Sequence, residues 1–345
     1  MVIPEHITDT PRLSVCIPAY GRPEEYALLL KSIEAQTQFP HEVLICEDGS
    51  PQRDALRDIT TQFASRMRVH GLVVRFIENP INLGYDGNLR RLIELATGTH
   101  VFFIGNDDFI LPDGIQIAQR FLMNNQVLAA SRSFARFDHD PLKPIGYSRQ
   151  IATDTSISKA SHPAGIVMRI GGFFGGLIFD RNWALQHSTQ QYDGTLYYQI
   201  YLLLEAYCHG TIGYMATPTV AARADNAPLF GSAKSEKSHF TPGRYSAQAR
   251  GRMWESILTI TSDVEKKNQV ALIASMRSEL AGRMSFHLFE MFAGRSTAEQ
   301  RQLKEELNRL GLFDHWMPKT LYIMNTLLGS HSAWVYQLAR RSIQR

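Results

Sequence analysis

VFFIGNDDFILPDG, residues 101–114, decides how the chain is read. Val101, Phe102, Phe103 and Ile104 fit a buried strand, and two adjacent carboxylates, Asp107 and Asp108, follow almost at once. Alone, the pair supports two readings. The acids are solvated or cap the following helix, or they offer oxygen ligands to a hard cation. Mg²⁺ and Mn²⁺ favour oxygen, and Mg²⁺ commonly takes one or two carboxylates together with substrate phosphates. Two Asp residues are not a complete shell, so phosphate and water must supply the remainder.

The neighbouring segments repeat the pattern. LSVCI at 13–17, VLIC at 43–46 and VVRFI at 73–77 are short apolar runs, each ending in polar residues. Between them lie helical spacings. Pro23 suits an early helical position, with Tyr26, Leu29, Leu30 and Ile33 on one side. Tyr85, Leu89, Leu92, Ile93 and Ala96 mark a second helix, and Ile115, Ala118, Phe121 and Leu122 a third. Strands alternating with helices predict an α/β fold, with a mainly parallel central sheet flanked by helices. Such sheets bind ligands beyond the carboxyl ends of their strands. Tyr20 and Arg22 lie after the first run, Asp48 after the second, Asn82-Leu83-Gly84-Tyr85 after the third, and Asp107 and Asp108 after the fourth. A dinucleotide fold would show GxGxxG after the first strand, but PAYGRPEEY lacks it, as does GGFFGG at 171–176.

GGLIF at 175–179 predicts another strand, LYYQIYLLLEAYCHG at 196–210 a buried helix, and IGYMA a strand after it. Residues 130–170 are expected to cross the face of the sheet. The polar stretch ARADNAPLFGSAKSEKSHFTPGRY is long enough to suggest a functional loop. From about 246 the spacing is helical. The chain therefore divides into 1–245, an α/β unit holding the site, and 246–345, a helical region that meets an acceptor, a second subunit or a membrane surface.

With 345 residues, 44% of them hydrophobic, the chain can bury a large core. A net charge of +3 gives no reason to invoke nucleic acid, and Cys16, Cys46 and Cys208 form no metal-spacing or disulfide pattern. The polar start MVIPEHITDTPRLSV does not read as a signal peptide, and no stretch reaches bilayer-spanning length. The expectation is a cytoplasmic protein, at most peripheral on the inner face of the membrane. Trp334, Tyr336 and Leu338 with Arg340, Arg341 and Arg345 fit either an interfacial helix or a packed terminal helix with a basic end.

SVCIPAYGRPEEYALLLKSIEAQT, VLICEDGSP, ENPINLGYDGNLRRLIELATGTHVFFIGNDDFILPDG and GGLIF, in this order, resemble the family 2 glycosyltransferases of the GT-A fold. In flavour they resemble the bacterial enzymes that build O-antigen or capsule repeat units, the abequosyltransferase-like group among them. The resemblance covers about residues 13–125, thins towards 226, and stops there. It implies a nucleoside-diphosphate sugar donor, with UDP slightly favoured, Mn²⁺ or Mg²⁺ as cofactor, and inversion at the anomeric carbon. The acceptor would be a saccharide or a lipid-linked saccharide. Pro18, Tyr20, Arg22 and Asp48 would line the nucleotide pocket, with Asp48 near the base, and Asn82, Gly84 and Asn88 would lie beside the nucleotide. Asp107 and Asp108 fall on the metal and sugar-diphosphate motif. Where many members read Asp-x-Asp-Asp, this chain reads Gly105-Asn106-Asp107-Asp108, so the first carboxylate is missing and Asn106 is left to contact the donor. Arg223 and Asn226, with Asp225, match a stretch set against diphosphate or acceptor. Lys234, Lys237, His239 and Arg244 follow in the same loop, and His239 could join the metal shell.

Inverting transfer needs a carboxylate that removes the acceptor proton. Asp193, ahead of the apolar helix, is the first candidate, and helix capping is its structural alternative. Asp180 and Glu205 follow. Two other functions fit parts of the pattern. A nucleotidyltransferase would need a basic, glycine-rich triphosphate loop that PAYGRPEE does not supply. An inactive nucleotide-sugar-binding module would explain the missing carboxylate.

Overall fold

The computed structural model describes residues 10–224, 226–237, 239–243 and 245–343, with side chains through Ala339. The strands are β1 (Leu13–Ala19), β2 (Glu42–Glu47), β3 (Val73–Glu78), β4 (His100–Phe103), β5 (Phe109–Ile110), β6 (Ala129–Phe137), β7 (Gly146–Ser148), β8 (Thr155–Ile157), β9 (Ile178–Asp180) and β10 (Ile212–Arg223). Helices α1 (Pro23–Glu34), α2 (Arg53–Met67), α3 (Gly84–Leu95), α4 (Gly114–Asn124), α5 (Ile166–Gly171), α6 (Arg181–Gln186) and α7 (Tyr198–His209) alternate with them. The rest is helical: α8 (Ala247–Asn268), α9 (Ile273–Glu279), a π-helical turn at Leu280–Met284, α10 (Ser285–Met291), α11 (Thr297–Arg309), α12 (Trp316–Leu328) and α13 (Ser332–Ile343).

Successive strand residues face opposite sides of a sheet, and the core obeys this. Leu13, Val15 and Ile17 of β1, Val43 and Ile45 of β2, and Phe102 and Ile104 at β4 enter one cluster with residues of α1, α2 and α4. Cys16, Leu44, Cys46, Val101 and Phe103 enter the other, with residues of α3, α5, α7 and the later helices. That second cluster runs without a break from Phe103 through Leu202 and Ile257 to Phe289 and Tyr336. The predicted inner faces are buried, including Tyr26, Leu29, Leu30 and Ile33 on α1 and Leu89, Leu92 and Ile93 on α3. All three cysteines are free and buried.

The mainly parallel sheet needs correction. The strand order is β3-β2-β1-β4-β9-β6-β10-β5, and only β3-β2-β1-β4 and the β6–β10 pair are parallel. β9 runs antiparallel to both β4 and β6, β5 antiparallel to β10, and β7 and β8 pair antiparallel at the margins. The cause is where the chain enters β9. Gly176 N–H donates to the carbonyl of Phe103, at the carboxyl end of β4, so the strand starts there and descends alongside. Only a crossover returning to the amino end would have made it parallel.

Candidate active site

The carboxyl ends of β1, β2 and β4, with the start of α3, border a cleft. Pro18, Tyr20, Arg22, Asp48, Asn82, Gly84, Asn88, Asn106 and Asp107 all line it, together with Tyr85, Phe174, Leu229, Phe230, Ser232 and Glu236.

Each wall has a local cause. After β2, Glu47 is fully buried and accepts the N–H groups of Gly49 (3.0 Å) and Ser50 (2.7 Å), so Glu47 organises the EDGS turn. Asp48 is thereby released to reach the next loop. It accepts Asn79 Nδ2 (2.8 Å), Leu83 N (2.9 Å) and Gly84 N (2.9 Å), tying β2 to the first turn of α3. Burial pushes its carboxyl up to about 6, against the downward pull of these donors. Asn88 holds the same corner through its Nδ2 to the Cys46 carbonyl (3.0 Å).

On the opposite wall, Arg22 sits in the left-handed region at φ 59° and directs its guanidinium to the Asp107 carboxylate and the Ala227 carbonyl. Asn226 Nδ2 donates to the same Asp107 oxygen at 3.0 Å, and Arg223 Nε to the Asp107 carbonyl at 3.2 Å. Asn106 Nδ2 donates to the Gly21 carbonyl (2.8 Å). Residues far apart in the chain thus converge on one carboxylate.

Asp108 differs from its neighbour. It is buried, does not line the cleft, and accepts Arg223 N–H at 3.1 Å. Burial first, then the adjacent Asp107, hold its carboxyl well above the usual carboxylate range, while Arg132 favours the charged form. Arg132 is fully buried between the Phe134 and Phe173 rings, and burial lowers its guanidinium to about 9. The absent first carboxylate has a steric explanation. A Cβ on Gly105 would stand 2.6 Å from Asp108 Oδ2 and 3.2 Å from Asp107 Oδ1, and one on Gly175 would stand 2.9 Å from the same Asp108 oxygen. The two glycines leave room for the Asp108 carboxylate, and one oxygen of each acid flanks Gly105.

The loop after β10 covers the cleft with Leu229, Phe230 and Ser232. Glu236 fastens it, accepting Tyr85 N at the start of α3 and Gly231 N within the loop, both at 2.7 Å. Tyr85 lies in the strand-end stretch Asn82-Leu83-Gly84-Tyr85 without a role of its own there, and sequence reasoning missed Glu236 and Phe174. It also missed Asp86, buried and accepting Leu196 N (2.8 Å) and Tyr198 N (3.0 Å) at the head of α7.

Other candidates stand elsewhere. Asp193 forms a two-point ion pair with Arg90, at 3.0 and 2.6 Å, and is not part of the cleft lining. Asp180 caps α6 by accepting Trp183 N (2.8 Å) and pairs with His100 in register, so the reversal of β9 carries it to the far end of the sheet. Glu205 is fully buried and bound to Lys267. His239 faces Arg252 at 2.6 Å, and Lys234 and Lys237 are exposed. Asp225, Arg244 and Arg345 lie outside the described residues, as do the side chains of Arg340 and Arg341.

Residues 14–180 match the family model described as glycosyl transferase family 2. Abequosyltransferase RfbV of Salmonella typhimurium is 23% identical over 238 residues, 62% of this chain and 67% of that protein. Among solved structures, residues 1–349 of S. aureus TarS in complex with UDP-GlcNAc superpose with a TM-score of 0.58 at 16% identity, covering 96% of this chain and 92% of that one. The mannosyltransferase PcManGT of Pyrobaculum calidifontis, in complex with GDP-Man and Mn²⁺, gives 0.54 at 14% identity, covering 96% and 88%. At these identities the structural likeness concerns the fold. Residues 14–180 are thus similar to the glycosyl transferase family 2 model, and the solved structures share the fold of the chain.

Proposed function

We propose that this chain transfers a sugar from a nucleoside-diphosphate donor to a saccharide acceptor, with inversion, in the building of a bacterial surface polysaccharide. The observation that carries the proposal is the convergence of Tyr20, Arg22, Asp48, Asn82, Asn88, Asn106 and Asp107 on one cleft. Its aromatic lining, Tyr20, Tyr85, Phe174 and Phe230, suits a planar base, and the Asp48 corner supplies a polar edge beside it. Arg22 suits the diphosphate, since a guanidinium forks onto phosphate oxygens. TarS with UDP-GlcNAc and PcManGT with GDP-Man support a nucleotide sugar of either base, with UDP kept slightly ahead.

Asp107 Oδ1 and Asp108 Oδ2 both approach Gly105, and these two carboxylates would supply oxygen ligands to Mn²⁺ or Mg²⁺. When bound, the ion would offset the charge gathering on the departing diphosphate. The chain's own residues do the remainder. The acceptor hydroxyl oxygen bonds to the anomeric carbon as the carbon–oxygen bond to phosphate breaks. The nucleoside diphosphate leaves with the electron pair, and the hydroxyl proton passes to a carboxylate. Arg22 would meet the diphosphate in the cleft, and Arg223 would brace that wall through the Asp107 carbonyl. We assign the base to Asp193 on one condition: an acceptor must draw Arg90 away, because both Asp193 oxygens are engaged.

We infer the division into a catalytic unit (1–245) and a helical region (246–345), and we place the protein in the cytoplasm, peripheral to the inner membrane face, where a lipid-linked acceptor would lie. No helix among the described residues is long and apolar enough to cross a membrane. Trp316, Ile323 and Leu327 on α12, and Trp334 on α13, are exposed apolar residues, and residues 315–345 contain no Asp or Glu. That composition favours an anionic lipid surface over a second subunit.

The decisive test is thermal shift against UDP, GDP, CDP and dTDP, with and without Mn²⁺, followed by release of free sugar from the matching donor. A stabilisation by one diphosphate that grows with Mn²⁺ is expected. No response to any nucleotide defeats the proposal, and nucleotide binding without transfer to any saccharide reduces the protein to a binding module.

A further inference from the structure

A second group of potential metal ligands lies away from the donor cleft. His187 caps the end of α6, and Glu205 and His209 stand one turn apart on α7. One ligand atom from each lies within 4.8 Å of the others. His209 Nε2 is 3.2 Å from Glu205 Oε2, and the two imidazole rings are 5.4 Å apart. None of the three residues lines the donor cleft.

The surroundings orient these atoms. His187 Nδ1 lies 2.8 Å from the Trp183 carbonyl, an acceptor, so Nδ1 carries the proton and Nε2 keeps its lone pair. Donation of one ring N–H to a backbone carbonyl is how metal-ligating imidazoles are held. The Trp183 indole stacks on the same ring at 4.4 Å and fixes its plane. Glu205 has no exposed surface, and Lys267 Nζ takes its Oε1 at 2.8 Å. Its Oε2 faces His209, with Asn268 Nδ2 at 3.4 Å. His209 is 44% exposed at its side chain, so an ion has a path in and water a place to complete the shell.

We propose that His187, Glu205 and His209 bind a borderline-soft divalent ion of the Zn²⁺ class, independently of the donor site. Two imidazole nitrogens and one carboxylate oxygen suit Zn²⁺, bound at about 2.0–2.2 Å with a fourth position left to water. Ligand atoms around such an ion stand roughly 3.3 Å apart, and the His209–Glu205 separation of 3.2 Å already meets this. The ion would staple α6 to α7, and through Glu205 and Lys267 to the end of α8.

The test titrates the chelator-stripped full chain with Zn²⁺ against a chromophoric competitor, and with Co²⁺ by visible absorption. One equivalent binding with a micromolar or tighter Kd is expected, with a tetrahedral Co²⁺ band. His209→Ala and His187→Ala should each weaken it at least tenfold, while Asp107→Ala leaves it unchanged. His209→Ala, at an exposed position, should keep the wild-type circular dichroism and the same nucleotide thermal shift. Absence of stoichiometric binding, wild-type affinity in either His variant, or loss of binding in Asp107→Ala would each overturn the proposal.

Discussion

Gly105→Ala should damage the site by filling the space that two carboxylates use. The new Cβ would fall 2.6 Å from Asp108 Oδ2, well inside ordinary contact, so the carboxylate must swing. Its routes are limited: Oδ1 holds the Arg223 N–H at 3.1 Å, and Gly175 backs Oδ2 so closely that a Cβ there would be 2.9 Å away. Forcing a methyl group into packed surroundings costs about 1–3 kcal/mol, and losing the buried hydrogen bond adds about 1 kcal/mol. Against this, alanine stabilises by about 0.4–1 kcal/mol through the unfolded chain. The net expectation is a loss of about 1–3 kcal/mol, with transfer falling further because the pair beside Gly105 is displaced. Urea denaturation with an unchanged m value reads the first quantity, and initial rates under saturating Mn²⁺ read the second. Gly282→Ala is the control, since its Cβ would meet nothing nearer than 3.8 Å. A Gly105→Ala protein as stable as the wild type, with full turnover, would refute the steric account. Gly105→Asp, which restores the family's usual acid, should be worse than alanine.

Asp108→Ala should lower transfer by at least about 100-fold while circular dichroism stays native; normal rates would remove Asp108 from the site. Asp193→Asn separates a base from a structural anion: loss of a base costs about 100-fold or more in kcat, whereas loss of the Arg90 pair alone lowers the urea midpoint and leaves kcat within tenfold. Asp86 has a folded-state pKa raised by burial from 3.8 to about 7. The folded state therefore binds more protons than the unfolded chain between those values, so this contribution is whole below about pH 4 and fades as pH rises through 7. Asp86→Asn should flatten the fall in urea midpoint between pH 4.5 and 7.5, and an unchanged slope would discard the assignment. Sedimentation with phosphatidylserine vesicles should exceed that with neutral ones and should fall when Trp316 and Leu327 are both replaced by Ser; equal sedimentation removes the C-terminal helices from membrane contact.

What the sequence made legible was governed by local rules. Period-two burial in β1, β2 and β4, helical spacing in α1, α3 and α4, and polar residues at strand ends all depend on neighbours within a few positions. They point to Pro18, Tyr20, Arg22, Asp48, Asn82, Gly84, Asn88, Asn106 and Asp107, all of which line the cleft. The direction of β9 was hidden because strand composition carries no arrow: IFD packs equally well running either way, and only the place where the preceding chain arrives decides. The same reversal put Asp180 beside His100, opposite the cleft.

Pairing between charges was equally hidden, because an arginine and an aspartate announce their chemistry but not their partner. Arg22 stands two residues from Glu24 yet turns to Asp107, while Asp193 gives both oxygens to Arg90. These choices follow from shape. The left-handed turn at Gly21 and Arg22 aims the guanidinium across the strand ends, where Asp107 has already been placed by the approach of Asp108 to Gly105 and Gly175. Ala227 and Asn226 then close on the same pair from the loop after β10. Donor phosphates entering the cleft would therefore compete with Asp107 for Arg22, and winning that guanidinium would loosen the loop contacts at Ala227. Arg22→Lys tests this coupling. Lysine keeps the charge but cannot fork between carboxylate and carbonyl, so the diphosphate should bind at least about tenfold more weakly while protease cleavage within residues 226–237 speeds up. Unaltered cleavage alongside weakened binding would show that Arg22 serves the phosphates alone.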